Sequence, residues 1–265
     1  LKRLHLCFQK IFRKLLKIRS TLYLFRDKKM INFANMSQQP VLLKEYQGIA
    51  IVDNKIDVRY SEFLCRVNYF SSLTPKVIDA RIIIFSENRL GWIYALFAIW
   101  NNHGIAVPVD AMVSLSEMVY ILKDSQPVSV WTNSKKADFV ARALAEAGLD
   151  IPVLLMDDYE LSEMPSPQEC YVPYSEERTA LIVYTSGTTG RSKGVMLSFR
   201  NILANVYSVS RDVHIYRPDL RTMILLPLHH VLPLMGSVVA PLMVGGGVAI
   251  APSMNAADIM ETLQR

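Results

Sequence analysis

Ten residues, Thr185-Ser186-Gly187-Thr188-Thr189-Gly190-Arg191-Ser192-Lys193-Gly194, hold the densest chemistry in the chain. Three glycines let backbone N–H groups approach a ligand closely, hydroxyl side chains add donors, and Arg191 and Lys193 supply positive charge. That combination is what a polyphosphate needs. A Walker A loop is excluded, because it has four residues between its first glycine and a Gly-Lys-Ser/Thr, and here Gly187 and Gly190 are separated by two. A solvated Ser/Gly linker would share the composition, but linkers seldom lie between two apolar strands.

Apolar runs do flank the loop. Ala180 to Tyr184 reads as a strand leading into it and Val195 to Leu197 as a strand leaving it, after which Ser198 can cap a helix through Asn201, Leu203 and Val206. The same alternation fills the preceding chain. Ile49 to Val52 and Ile56 to Tyr60 flank Asp53-Asn54 as a hairpin, and Ser61 is the expected cap of a helix with an apolar stripe of Phe63, Leu64, Val67, Phe70 and Leu73. Arg81 to Phe85, Ile105 to Val109, Val128 to Thr132 and Val153 to Met156 read as strands, separated by helices over Trp92 to Trp100, Ser116 to Asp124 and Ala137 to Ala147. Such an order predicts an α/β fold of parallel sheets layered with helices.

From Thr222 to Ala257 there is no Lys, Arg, Asp or Glu, a length that raises the question of a membrane span. Pro227, Pro233, Pro241 and the Gly245-Gly246-Gly247 triplet would interrupt any continuous helix. A strand Met223 to Leu226, a buried helix across Gly236 to Val244, a glycine turn and a strand Val248 to Ala251 are expected instead.

The segment Tyr184 to Val195, YTSGTTGRSKGV, closely resembles the phosphate-loop signature of the adenylate-forming enzymes: acyl-CoA synthetases, luciferases of the firefly type and peptide-synthesis adenylation domains. Ser192 stands where that signature usually has Pro. The resemblance runs over roughly 45 to 265. Asp53 to Phe63 is similar to the family's early hairpin and helix start, Asn88 to Pro108 to its buried helix and Gly-x-x-x-x-Pro strand, and Leu226 to Val231 to its Pro-Leu-Phe-His-Val motif.

What the resemblance implies is the first part of the large N-terminal domain of an adenylate-forming enzyme, with 1–36 as a basic amphipathic extension and 37–265 as an incomplete adenylation domain. The implied reaction activates a carboxylic acid with ATP, most simply a fatty acid, and transfers it to the thiol of coenzyme A. Lys193 is the implied catalytic residue; with Thr185, Ser186, Gly187, Thr188, Thr189 and Gly190 it would hold the ATP phosphates, and Thr185 is also the implied Mg2+ ligand. His230 and Leu234 are the implied acyl-pocket residues, with His229 replacing a more usual aromatic. The adenine-binding Tyr-Gly-x-Thr-Glu segment, the ribose-binding Asp and the C-terminal catalytic Lys of the family do not occur in these residues. An acyl-carrier-protein ligase is an alternative within the family, and a non-catalytic nucleotide-binding remnant is the alternative outside it.

With 51% hydrophobic and 20% charged residues the chain has apolar material for a sizeable core, which excludes a disordered protein. Cys7, Cys65 and Cys170 are scattered and support neither a disulfide framework nor a zinc site, so a reducing, cytoplasmic setting is the default. The net charge of +5 divides into +9 over residues 1–29 and −4 over the rest. Nucleic-acid binding needs clustered positive charge on a folded surface, and none is expected here. Within 1–29, Leu1, Leu4, Phe8, Ile11, Leu15, Ile18, Leu22 and Phe25 would line one face of a basic amphipathic helix. A contact with the inner face of a membrane is one reading of that helix. The tail of an upstream domain, or upstream sequence outside the natural protein, is the other.

Overall fold

The computed structural model describes residues 41–53, 56–157, 166, 168, 170–171, 175–185, 192–212 and 216–264. The amphipathic extension and the loop core 186–191 lie outside the described residues. Twelve strands are described: β1 (Val41–Leu43), β2 (Ile49–Val52), β3 (Asp57–Arg59), β4 (Arg81–Phe85), β5 (Ile105–Val109), β6 (Ser129–Thr132), β7 (Val153–Leu155), β8 (Cys170–Tyr171), β9 (Thr179–Thr185), β10 (Lys193–Ser198), β11 (Arg221–Ile224) and β12 (Gly247–Ile250). The main helices are α1 (Tyr60–Leu73), α2 (Leu90–Asn101), α3 (Leu115–Ser125), α4 (Ser134–Ala147) and α5 (Phe199–Asp212).

The strands form a six-stranded sheet in the order β10-β9-β5-β4-β6-β7, a four-stranded sheet β11-β12-β2-β3 and a short ribbon β1-β8. In the large sheet every pairing is parallel except β10 with β9, and in the small one β2 with β3 is antiparallel. The expected parallel α/β arrangement therefore holds, with an antiparallel hairpin at one edge of each sheet. Side-chain alternation along β4 shows how the layers are built. Ile82 and Ile84 pack with α1, α2 and α5 in the main core. Ile83 and Phe85 pack with α3 and α4 on the opposite face. Gly91 to Trp100 are all buried, so α2 is enclosed in the main core. Its Trp100 Nε1 donates to the Ala180 carbonyl at 2.7 Å, tying the buried helix to β9.

Most element boundaries shift by one to three residues from the sequence reading, and two differences have a physical cause in the packing. Helix α1 starts at Tyr60, with Arg59 as N-cap and no side-chain cap bond, so Ser61 lies inside the first turn. Tyr60 is drawn in because its buried hydroxyl donates to the carbonyls of Gly246, at 2.5 Å, and Leu242, at 3.1 Å. The second difference is in the uncharged stretch, where the helix begins at Val231 rather than near Gly236. It runs as α6 (Val231–Leu234), a π turn (Met235–Val239) and α7 (Ala240–Met243). Pro241 explains the π turn, since it has no N–H to give to the carbonyls one turn earlier. The hydroxyls of Tyr216 and Thr222 donate instead to the carbonyls of Gly236 and Ser237, both at 3.0 Å. No helix of the described residues is long and apolar enough to cross a membrane. The turn into β12 needs Gly245, which has φ +86° and against which the Tyr46 ring packs so closely that a Cβ would lie 2.7 Å from it. A last helix, α8 (Ala256–Leu263), is capped by Asn255, whose side chain accepts from Asp258 N.

Candidate active site

The loop of the ten chemical residues joins β9 to β10, whose register pairs Thr185 with Lys193 and Tyr184 with Gly194. The loop is thus a strand-to-strand connection, as the flanking apolar runs predict, and Lys193 opens a strand rather than a helix. Ser198 caps α5 as expected: its Oγ accepts from Asn201 N at 3.3 Å, while the Asn201 side chain accepts from Ser198 N at 2.9 Å. Thr185 and Lys193 are both exposed. Gly194 is required by packing, because a Cβ there would lie 2.9 Å from Ile182 Cγ2 and 3.4 Å from the Tyr184 ring.

The parallel register shows what the loop faces. Ala106 pairs with Leu181, so four residues further along each strand Asp110 comes level with Thr185. In the same way Phe85 pairs with both Val109 and Thr132, which sets Ser86 and Asn133 in the next row. All of these stand at the carboxyl ends of parallel strands, where open α/β sheets bind ligands. The loop that carries His229 and His230 comes to the same row, since His229 Nε2 is 3.9 Å from Asp110 Oδ2 and the two imidazoles are 4.0 Å apart. Asn88, just beyond β4, holds that loop by both ends of its amide. Its Nδ2 donates to Leu226 O at 2.9 Å and its Oδ1 accepts from Leu228 N at 3.0 Å.

The electrostatics at the edge follow from this packing. Burial lowers the His229 pKa, His230 lowers it further, and Asp110 offsets part of the effect. Burial acts to raise the Glu87 carboxyl, but its own backbone N–H, the Asn133 amide at 2.9 Å and Lys136 at 3.4 Å hold it below its ordinary value. Arg89 and Asp157 close the row with an ion pair. No group of three or more His, Cys, Asp or Glu is set to hold a metal among the described residues. The exposed Thr185 hydroxyl is an oxygen donor of the kind that suits Mg2+, which takes few protein ligands when phosphates and water supply the rest.

Of the residues singled out in the sequence, Thr185, Lys193 and His230 reach this surface, and Ser186, Gly187, Thr188, Thr189 and Gly190 lie outside the described residues. Leu234 is fully buried in the main core. Asn88 and Asp110 are not among the residues singled out; Asp110 directly follows the predicted strand Ile105 to Val109 and Asn88 lies three residues beyond Phe85, which is the available signal.

A family model described as AMP-binding enzyme matches residues 43–265. The chain belongs to that family. Similar AMP-binding enzymes include a sulfoacetate–CoA ligase of Cupriavidus necator, 36% identical over 165 residues that cover 60% of this chain and 32% of the relative. A mitochondrial malonate–CoA ligase of Homo sapiens is 28% identical over 77% of this chain and 35% of its own length. Among solved structures, ATP-bound MatB from Rhodopseudomonas palustris superposes with a TM-score of 0.71 at 22% identity, covering 88% of this chain and 46% of that one. An AMP complex of the o-succinylbenzoate coenzyme A synthetase of Bacillus subtilis gives 0.69 at 23% identity, over 83% of this chain and 56% of that one. These structures establish the fold as that of adenylate-forming enzymes. The chain spans about a third of the length of the curated relatives it matches.

Proposed function

We propose that this AMP-binding chain is the phosphate-holding part of an acid–CoA ligase. One observation supports the reading most: the family's loop signature is rooted in the β9–β10 hairpin, with Thr185 and Lys193 paired at the carboxyl edge of the sheet. In the proposed reaction a carboxylate oxygen attacks the α-phosphorus of ATP and pyrophosphate leaves; the sulfur of coenzyme A then attacks the acyl carbon and AMP leaves. Lys193 and the 186–190 donors would stabilise the charge gathering on the β- and γ-phosphates, and Thr185 would hold Mg2+, whose charge would neutralise those phosphates further. His230 stands at the mouth of the acyl site, with Leu234 behind it in the wall. Cytoplasmic placement, with residues 1–29 offered to a membrane surface, accompanies this reading.

Two acids deserve weighing. Leu226, Val231 and Leu232, around His230, are 40%, 41% and 42% exposed, an apolar surface that suits a fatty acyl chain. Yet most of the apolarity of 222–252 is absorbed by core packing, which weakens composition as an argument. The relatives act on malonate and sulfoacetate, short acids with a second anionic group, to which the paired His229 and His230 would offer ring N–H donors rather than charge. ATP–pyrophosphate exchange by the full-length protein, with malonate, sulfoacetate and saturated fatty acids of increasing length, tests the reading. Acid-dependent exchange is expected, and none with any of them would contradict it.

A further inference from the structure

Helix α3 lies on the outer face of the large sheet, with Met118, Ile121 and Leu122 buried against it and the Ser114 side chain capping its start. Tyr120 and Asp124 are four residues apart, so they share one face of the helix. Both reach the hairpin that carries the phosphate loop. Tyr184, the last half-buried residue before the loop, donates its hydroxyl to Asp124 Oδ2 at 2.5 Å. Ser192, the first described residue after it, accepts at its backbone carbonyl from the Tyr120 hydroxyl at 3.0 Å. Burial, reinforced by the Asp124 carboxylate, pushes the Tyr184 phenol far above its ordinary range, so it stays a donor across the working pH range.

We propose that Tyr120 and Asp124 are positioning residues that clamp the two roots of the phosphate loop, one on each side, and so fix the place of Lys193 and Thr185. The geometry is specific. The two bonds leave one capped helix and end on the two sides of a single hairpin, at Tyr184 in β9 and at Ser192 immediately before β10, eight residues apart in sequence. Both bonds are made at residues that flank the loop, so the clamp acts through the backbone that carries it. Ser192 is a residue whose φ is free, unlike a proline, so its conformation depends on such a tether. The effect on ATP rests on the function proposed above; the effect on the loop does not.

The test separates these two layers. Tyr120→Phe keeps the ring and removes only the hydroxyl. Hydrogen exchange of the peptide covering 186–194 should quicken about fivefold, as expected for losing one neutral hydrogen bond, with exchange in α3 and β9 unchanged. Adding Ser192→Pro, which fixes φ covalently, should restore slow exchange. In the full-length enzyme Tyr120→Phe should raise KM for ATP by a similar factor, leave KM for the acid unchanged, and be rescued by the same proline. Unchanged loop exchange in Tyr120→Phe, or quickening spread evenly over the domain, overturns the clamp. Faster loop exchange with an unchanged KM for ATP overturns its role in phosphate binding. If the unsubstituted protein exchanges no pyrophosphate, the proposed function fails, and the loop's hydrogen exchange still decides the clamp.

Discussion

His229 shows how a single side chain carries the character of the edge. Its imidazole is partly buried beside a second imidazole, and both conditions oppose its protonation. Its pKa in the folded chain is therefore below the unfolded value of about 6.5. Above that pH both states are neutral and the residue has no effect on stability. Below it the unfolded chain binds the proton more readily, so stability falls with pH until the folded form protonates as well. His103, whose pKa burial and Arg178 also lower, adds to the same slope. Urea unfolding at a series of pH values between 7.5 and 5 should show this loss, and His229→Asn should flatten it. An equal slope in the variant would mean that His229 is not the group responsible.

At the scale of elements, the hairpin β9–β10 decides whether the site exists. Gly194 sits where any Cβ meets Ile182 Cγ2 at 2.9 Å, and Ile182 is β-branched and packed, so it has little freedom to move aside. Gly194→Val should cost about 1–3 kcal/mol by overpacking, a fall of several degrees in Tm. Ile182→Ala in the same chain should recover part of it, because the two residues couple; additive losses would show that the contact is not the cause. The strands were legible in the sequence because short β-branched runs such as Arg81 to Phe85 and Ile105 to Val109 must be buried on both faces. The long-range ties were not. Nothing in the neighbourhood of Tyr120 announces that its hydroxyl reaches Ser192, and nothing around Tyr60 announces carbonyls more than 180 residues away. Pro241 signalled a broken helix, but which hydroxyls would satisfy the freed carbonyls depends on where β11 and the residue Tyr216 come to lie. Leu234 was read by analogy with substrate-lining positions, whereas the fold buries it completely.

For the whole molecule, the sharp change in charge pattern near residue 30 predicts that the basic extension is dispensable to the fold. A chain beginning at Met36 should keep its Tm within a few degrees, the shift for about 1 kcal/mol; a larger fall would place the extension on the core. The two sheets, the enclosed helix α2 and the carboxyl-edge row form the scaffold on which the proposed chemistry depends. Residues 1–265 span about a third of the length of the relatives, and on the reading proposed above they should not catalyse pyrophosphate exchange alone at a useful rate. The most direct test of the central claim, that the hairpin loop binds the phosphates of ATP, is acid-dependent ATP–pyrophosphate exchange by the full-length protein carrying Lys193→Ala. Loss of one charged donor aimed at developing phosphate charge predicts a rate lower by about 10² to 10³; a rate equal to that of the unsubstituted protein would contradict the assignment.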